Sequence, residues 1–111
     1  MTRPRYTLTS GPEVIDDVAA LVAYGPEVVA AANAIVDDLA HGRVTGKQLG
    51  DRHVSGDLTG LARVKFDVED RWPQRFRLVY RQVDADTRDI VAIGVRDEHA
   101  IYLAAVRRVI G

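Results

Sequence analysis

Apolar and polar positions change period twice along the chain. Residues 5–9 (Arg5-Tyr6-Thr7-Leu8-Thr9) alternate and favour extended backbone, which predicts a short first strand. The spacing then lengthens to that of a helix. Val14, Ile15, Val18, Leu21 and Val22 form one apolar stripe; Val28, Ala32, Ile35, Val36 and Leu39 form a second, with Asp37 and Asp38 turned away. Each stripe is preceded by the same signal, Gly11-Pro12-Glu13-Val14 and Gly25-Pro26-Glu27-Val28. Proline at the first helical position followed by an acidic first turn starts a helix and suits its macrodipole, so an antiparallel helical hairpin is expected.

Alternation returns after residue 60. Ala62, Val64, Phe66 and Val68 interleave with Arg63, Lys65 and Asp67, and Phe76, Leu78 and Tyr80 with Arg75, Arg77, Val79 and Arg81. Residues 90–95 are apolar on both faces and read as a central strand. Residues 99–110 regain helical spacing. Between hairpin and strands, residues 42–60 hold five of the nine glycines and read as an ordered, adaptable loop. The order β-α-α-β-β-β-α with hairpin-length connections predicts an α+β fold: a small antiparallel sheet, its helices mainly on one face, in a single domain over residues 1–111.

Composition narrows the function classes. No cysteine is present, which excludes disulfides, thiolate metal sites and a thiol nucleophile. His41, His53 and His99 lack metal-ligand spacing. No run approaches the roughly 18 apolar residues of a membrane span, and the start Met1-Thr2-Arg3-Pro4-Arg5 is not followed by a signal-peptide core, so a cytoplasmic protein is expected. The net charge of −1 conceals an asymmetry: residues 1–60 carry five Lys/Arg against eight Asp/Glu, and residues 61–111 carry ten against eight. That is far from the strongly basic balance of a free nucleic-acid binder. The placement of a few cations has to matter more than their number.

Their placement is suggestive. Side chains at i and i+2 of a strand share a face, so Arg63 with Lys65, and Arg75 with Arg77 and Arg81, line one surface of the sheet if the helices cover the other. Arg96 ends the apolar strand, and Tyr102 follows on the last helix. Such a surface suits a phosphodiester, although the wet face of any half-buried sheet is often charged. A helical tyrosine, likewise, is often a core packer with a wet hydroxyl.

The ordered string Phe76-Arg77-Leu78-Val79-Tyr80-Arg81, then Val91-Ala92-Ile93-Gly94-Val95-Arg96, then Ala100-Ile101-Tyr102 and Ala105-Val106-Arg107-Arg108 resembles the RelE/ParE toxin superfamily of type II toxin–antitoxin systems, most closely its RelE branch. Gly60-Leu61-Ala62-Arg63-Val64-Lys65 resembles the start of the family's first basic strand. The resemblance implies a ribosome-dependent endoribonuclease that cuts mRNA by attack of a 2′-hydroxyl on the adjacent phosphate, without metal or small-molecule cofactor, and is restrained by a cognate antitoxin. It implies catalytic roles for Lys65, Arg77, Arg96 and Tyr102, and phosphate binding by Arg63, with Arg75 and Arg81 as further candidates. His99, one helical turn before Tyr102, is a candidate acid or base. Guanidinium groups suit phosphate oxygens, and a lysine packed among cations loses its proton more easily. Arg63 stands where a lysine is frequent; as a permanent cation it can stabilise charge but is no base. Two other readings remain open: a ParE-like inhibitor of DNA gyrase, and an inactive RelE-fold protein that only binds an antitoxin, which the near-neutral charge favours.

Overall fold

The computed structural model describes residues 3–52, 56–96 and 100–110. Strand β1 (Thr7–Ser10) leads into helix α1 (Pro12–Ala20), a 3₁₀ turn (Leu21–Tyr24) and helix α2 (Pro26–His41). Strands β2 (Lys47–Arg52), β3 (Gly56–Phe66), β4 (Phe76–Asp84) and β5 (Thr87–Val95) follow, and helix α3 (Ala100–Ile110) comes last. The sheet runs β1-β5-β4-β3-β2. Every pairing is antiparallel except β1 with β5, which is parallel. No helix among the described residues is long and apolar enough to cross a membrane.

The α+β class and the helical hairpin match expectation; other details do not. The sheet is mixed, because β1 reaches its partner only after the chain has passed through both helices and three other strands. The glycine-rich connector is also no loop: its second half forms β2 and the start of β3, paired from Lys47↔Arg63 to Arg52↔Gly56. Gly50 (φ 69°) and Gly60 (φ 88°) take left-handed conformations that side chains disfavour, and the register shifts between Gln48 and Gly50. Glycines that look like loop residues in one dimension bend a ladder in three.

Both helices of the hairpin begin with proline behind a glycine cap, Pro12 after Gly11 and Pro26 after Gly25. Helix α2 ends at Gly42 (φ 73°), with the Arg43 amide donating to the Asp38 carbonyl (2.9 Å) and the Gly42 amide to that of Leu39 (3.4 Å). That is the Schellman closure, which satisfies carbonyls a helix end would leave bare.

Two apolar clusters form, one on each face of the sheet. Val14, Leu21, Val28, Ala32 and Leu39 of the hairpin side pack on Val64, Phe66, Phe76, Leu78, Tyr80, Ile90 and Ile93. On the opposite face Ile101, Tyr102 and Ala105 of α3 pack on Leu61, Val79, Val91 and Ala92. The register shift opposite Val79 and Tyr80, which pair with Ala92 and Ile90, leaves Val91 as an extra residue. This bulge puts both Val91 and Ala92 in the α3 cluster while Ile90 and Ile93 serve the other. Strand β5 is therefore apolar on both faces, as read. Against the expectation that the helices leave the cationic face open, α3 lies on that face, and this placement matters most for function.

One buried cation holds the hairpin to the sheet. Arg88 is 2% exposed. Its Nη1 donates to the carbonyls of Leu39 (2.9 Å) and Val44 (3.0 Å), and its Nε to the Gln82 side-chain oxygen (2.9 Å). Its guanidinium lies 3.8 Å from the Tyr6 ring centroid and 5.1 Å from that of Tyr80. The Tyr80 hydroxyl in turn accepts the Gly46 amide (2.9 Å), where a Cβ would come within 2.6 Å of the Arg63 carbonyl oxygen. Arg88→Met keeps side-chain bulk and leaves those carbonyls without their charged donor. Equilibrium urea unfolding should show a loss of about 3 kcal/mol, within the range for buried hydrogen bonds to charged groups.

Candidate functional site

Strand alternation and register bring three cations together on the α3 face. Lys65 stands directly across from Arg77, Arg63 from Val79, and Arg77 on its other side from Gly94. Arg96 lies just past β5, its amide donating to the Arg75 carbonyl (2.6 Å). Like charges opposed across a ladder are destabilising, so an arrangement of this kind calls for a reason.

Arg77 is the centre of the group. It is only 3% exposed. Its Nη1 donates to the carbonyls of Gln74 and Phe76, both at 2.9 Å. Among the described residues its buried Nε has no hydrogen-bond partner. Burial is the main influence lowering its proton affinity, opposed by contact with the Tyr102 hydroxyl. Tyr102, 4% exposed, also accepts a long hydrogen bond from Arg63 Nη1 (3.4 Å). Its ring packs in the α3 cluster and its hydroxyl faces two guanidinium groups. Gly94 permits this closeness: a Cβ there would sit 3.3 Å from Ile101 Cδ1.

Lys65 is exposed, and its pKa is lowered from the ordinary lysine value. The field of Arg63 is the largest cause, followed by Arg77, partial desolvation and Arg96; Tyr102 works in the opposite direction. Arg63, Lys65, Arg77, Arg96 and Tyr102 thus act on one another, and among the described residues no carboxylate pairs with any of the four cations.

Several other arginines are engaged elsewhere. Arg75 is clasped by Asp67, with Nε to Oδ2 and Nη2 to Oδ1 both at 2.9 Å. Arg81 lies near Asp89 (3.6 Å) at the far end of the strand. Arg43 pairs with Asp37 and Asp38, and Arg5 with Asp86. Arg108 donates to Asp17 (2.6 and 3.0 Å) and to the Val91 carbonyl (2.9 Å), while Asp17 also accepts the Ile93 amide (3.0 Å). That clasp satisfies the edge of β5 beyond its pairing with β1 and fixes α3 over the sheet. Of the predicted site residues, Arg63, Lys65, Arg77, Arg96 and Tyr102 come together; Arg75 and Arg81 are held apart by acidic partners; His99 lies outside the described residues. Sequence reasoning missed Asp67 and Asp17. No local signal marks either, because the fold alone brings Arg75 and Arg108 to them.

Neither a known family model nor a curated protein matches the sequence. Among solved structures the chain is similar to a double mutant of the E. coli toxin RelE in the free state, with a TM-score of 0.61 and 17% identity over 95% of this chain and 98% of that one. The fold is that of the RelE toxin. At this identity the likeness establishes architecture, and the chemistry has to be argued from the side chains of this RelE-like domain.

The Asp67–Arg75 clasp sets the shape of the loop beside the cations. The Asp67 side chain is fully buried and also accepts the amides of Val68 (2.7 Å) and Arg75 (2.9 Å). These bonds, the Arg75 side chain foremost, lower its pKa from 3.8 to about 2. A carboxyl depressed on folding stabilises the fold fully above its unfolded pKa, and that contribution disappears as pH falls from about 4 to about 2. Asp67→Asn should cost about 2 kcal/mol at neutral pH, with the difference from the wild type shrinking below pH 4. Urea unfolding of both proteins between pH 7 and pH 2.5 would check it.

Proposed function

We propose that this protein is the toxin of a type II toxin–antitoxin pair and acts as a ribosome-dependent, metal-independent mRNA endoribonuclease. The observation that carries this reading is the strip Arg63, Lys65, Arg77 and Arg96: four cations gathered beside one tyrosine, with no carboxylate among the described residues to neutralise them, in a protein where Arg5, Arg43, Arg75, Arg81 and Arg108 each lie against one. A phosphodiester in transit to a more highly charged transition state supplies the missing negative charge.

The chemistry balances with these groups. Neutral Lys65, favoured by its cationic neighbours, takes the proton of the substrate's 2′-hydroxyl. The 2′ oxygen forms a bond to phosphorus, the bond from phosphorus to the 5′ oxygen breaks, and the leaving oxygen takes a proton from water. The products are a 2′,3′-cyclic phosphate and a 5′-hydroxyl end. Arg77 is fixed in direction by two backbone carbonyls and only 3% exposed; its charge acts on the phosphate at short range, and its N–H donors reach it once the Tyr102 hydroxyl moves aside. Arg63 and Arg96 add charge from either side. Tyr102 orients Arg63 and Arg77 through its hydroxyl. A cytoplasmic setting and an antitoxin that covers the cationic face belong to the same reading, acidic side chains being the natural complement of the strip.

Replacing both Arg77 and Arg96 by alanine should abolish growth arrest on induction in a bacterial host while the purified protein still unfolds cooperatively. Mapping of mRNA 5′ ends should reveal new cuts with the wild type and none with the double variant. Arrest with no cuts but with DNA damage would assign the protein to gyrase inhibition instead, and no arrest at all would make it an antitoxin-binding relic.

A second outcome concerns the base. Arg63 is the strongest influence lowering the Lys65 pKa. In Arg63→Gln, Lys65 should hold its proton to higher pH, and the rising limb of the cleavage pH–rate profile should move upward. Lys65→Ala should remove that limb and slow cleavage by about 10²–10⁴-fold, the usual range for a general base.

A further inference from the structure

Trp72 is the only tryptophan of the chain, and it is 78% exposed. A single exposed apolar side chain is ordinary; its position and support here are not. Residues 67–75 join β3 to β4 at the end of the ladder where Lys65 faces Arg77 and Phe66 faces Phe76. Trp72 is five residues from Arg77, at most about 18 Å of extended chain, a span that a few nucleotides cover.

The loop that presents it is held at its base. Asp67 accepts the amides of Val68 and Arg75 as well as the Arg75 guanidinium. The Arg71 amide donates to the Val68 carbonyl (3.1 Å), and Asp70 turns the chain at φ 65°, a conformation aspartate tolerates. The Arg75 carbonyl accepts the Arg96 amide, so the loop base is bonded to the residue bearing the outermost cation of the strip. An indole is thus carried on an anchored loop at the cationic end of the sheet. Aromatic faces next to cations that track a phosphate backbone are how proteins hold single strands, because every base has a face to stack.

We propose that Trp72 is a base-stacking residue, receiving a nucleobase of the single-stranded RNA whose scissile phosphate lies on Arg77 and Lys65. The proposal rests on the nuclease reading above. It assigns to the 67–75 loop the part of substrate binding that the cations cannot supply: they hold any phosphate, whereas a stacking face favours the larger aromatic bases and fixes the strand's direction across the site.

The test is cleavage of a defined message in a reconstituted translation reaction, comparing wild type, Trp72→Ala and Trp72→Phe, with Arg77→Ala as the inactive control. Trp72→Ala should lower kcat/KM about tenfold, the scale of one lost stack, and change the relative use of cut sites that differ in the neighbouring base; Trp72→Phe should keep most of both. An exposed side chain should not alter thermal unfolding, so the loss would not be one of folding. Trp72→Ala cleaving at the wild-type rate and sites would overturn the stacking role and leave the nuclease reading intact, with the indole then assigned to a protein contact. A wild-type protein that cuts no message in this reaction would overturn the nuclease reading and the stacking role together.

Discussion

Arg77 is a permanent cation, 3% exposed, in a middle strand of a sheet with a helix laid over it. A charge so placed costs several kcal/mol unless its donors are met. Two backbone carbonyls and the Tyr102 hydroxyl meet part of the requirement, and one buried donor is left without a partner among the described residues. Much of the rest follows from holding this group still. Gly94 lets α3 approach, the Asp17–Arg108 clasp fixes α3 in place, and the clasp of Arg75 by Asp67 fixes the loop whose Gln74 carbonyl Arg77 uses.

The arginines divide by their partners. Arg88, Arg75 and Arg108 are turned inward onto carbonyls or carboxylates: Arg88 and Arg108 join elements far apart in sequence, helix end to strand and last helix to first, and Arg75 closes the 67–75 loop. Arg63 and Arg96, with Lys65, are left facing one another around Arg77. A protein of net charge −1 can therefore still present a locally cationic face, because the carboxylates nearest in the fold, Asp67, Asp89 and Asp17, lie against Arg75, Arg81 and Arg108 instead. Near-neutral overall charge is no argument against an anion site when neutralisation is so uneven.

The alternation at residues 76–81, the doubly apolar 90–95 run and the two Gly-Pro-Glu-Val helix starts were legible because each reports on local periodicity or capping, which neighbours in sequence decide. Strand β2 was not legible, since its glycines and polar residues carry no alternation, and its stability comes from pairing with β3. The parallel docking of β1 on β5, some eighty positions away, leaves no local trace either.

For the site, the sequence by itself determined which side of each strand the cations take: a two-residue period puts Arg63 with Lys65 and sets Arg77 opposite the apolar side of its own strand, and the register then brings them together. It also determined that no thiol takes part. Only the tertiary structure decided which cations remain available. Arg75 and Arg81 follow the same alternation as Arg77, yet Asp67 and Asp89 claim them, while Arg88 disappears into the core. The physical reason is that periodicity fixes direction, a property of the backbone, whereas charge pairing and burial depend on what other segments bring within a few ångströms.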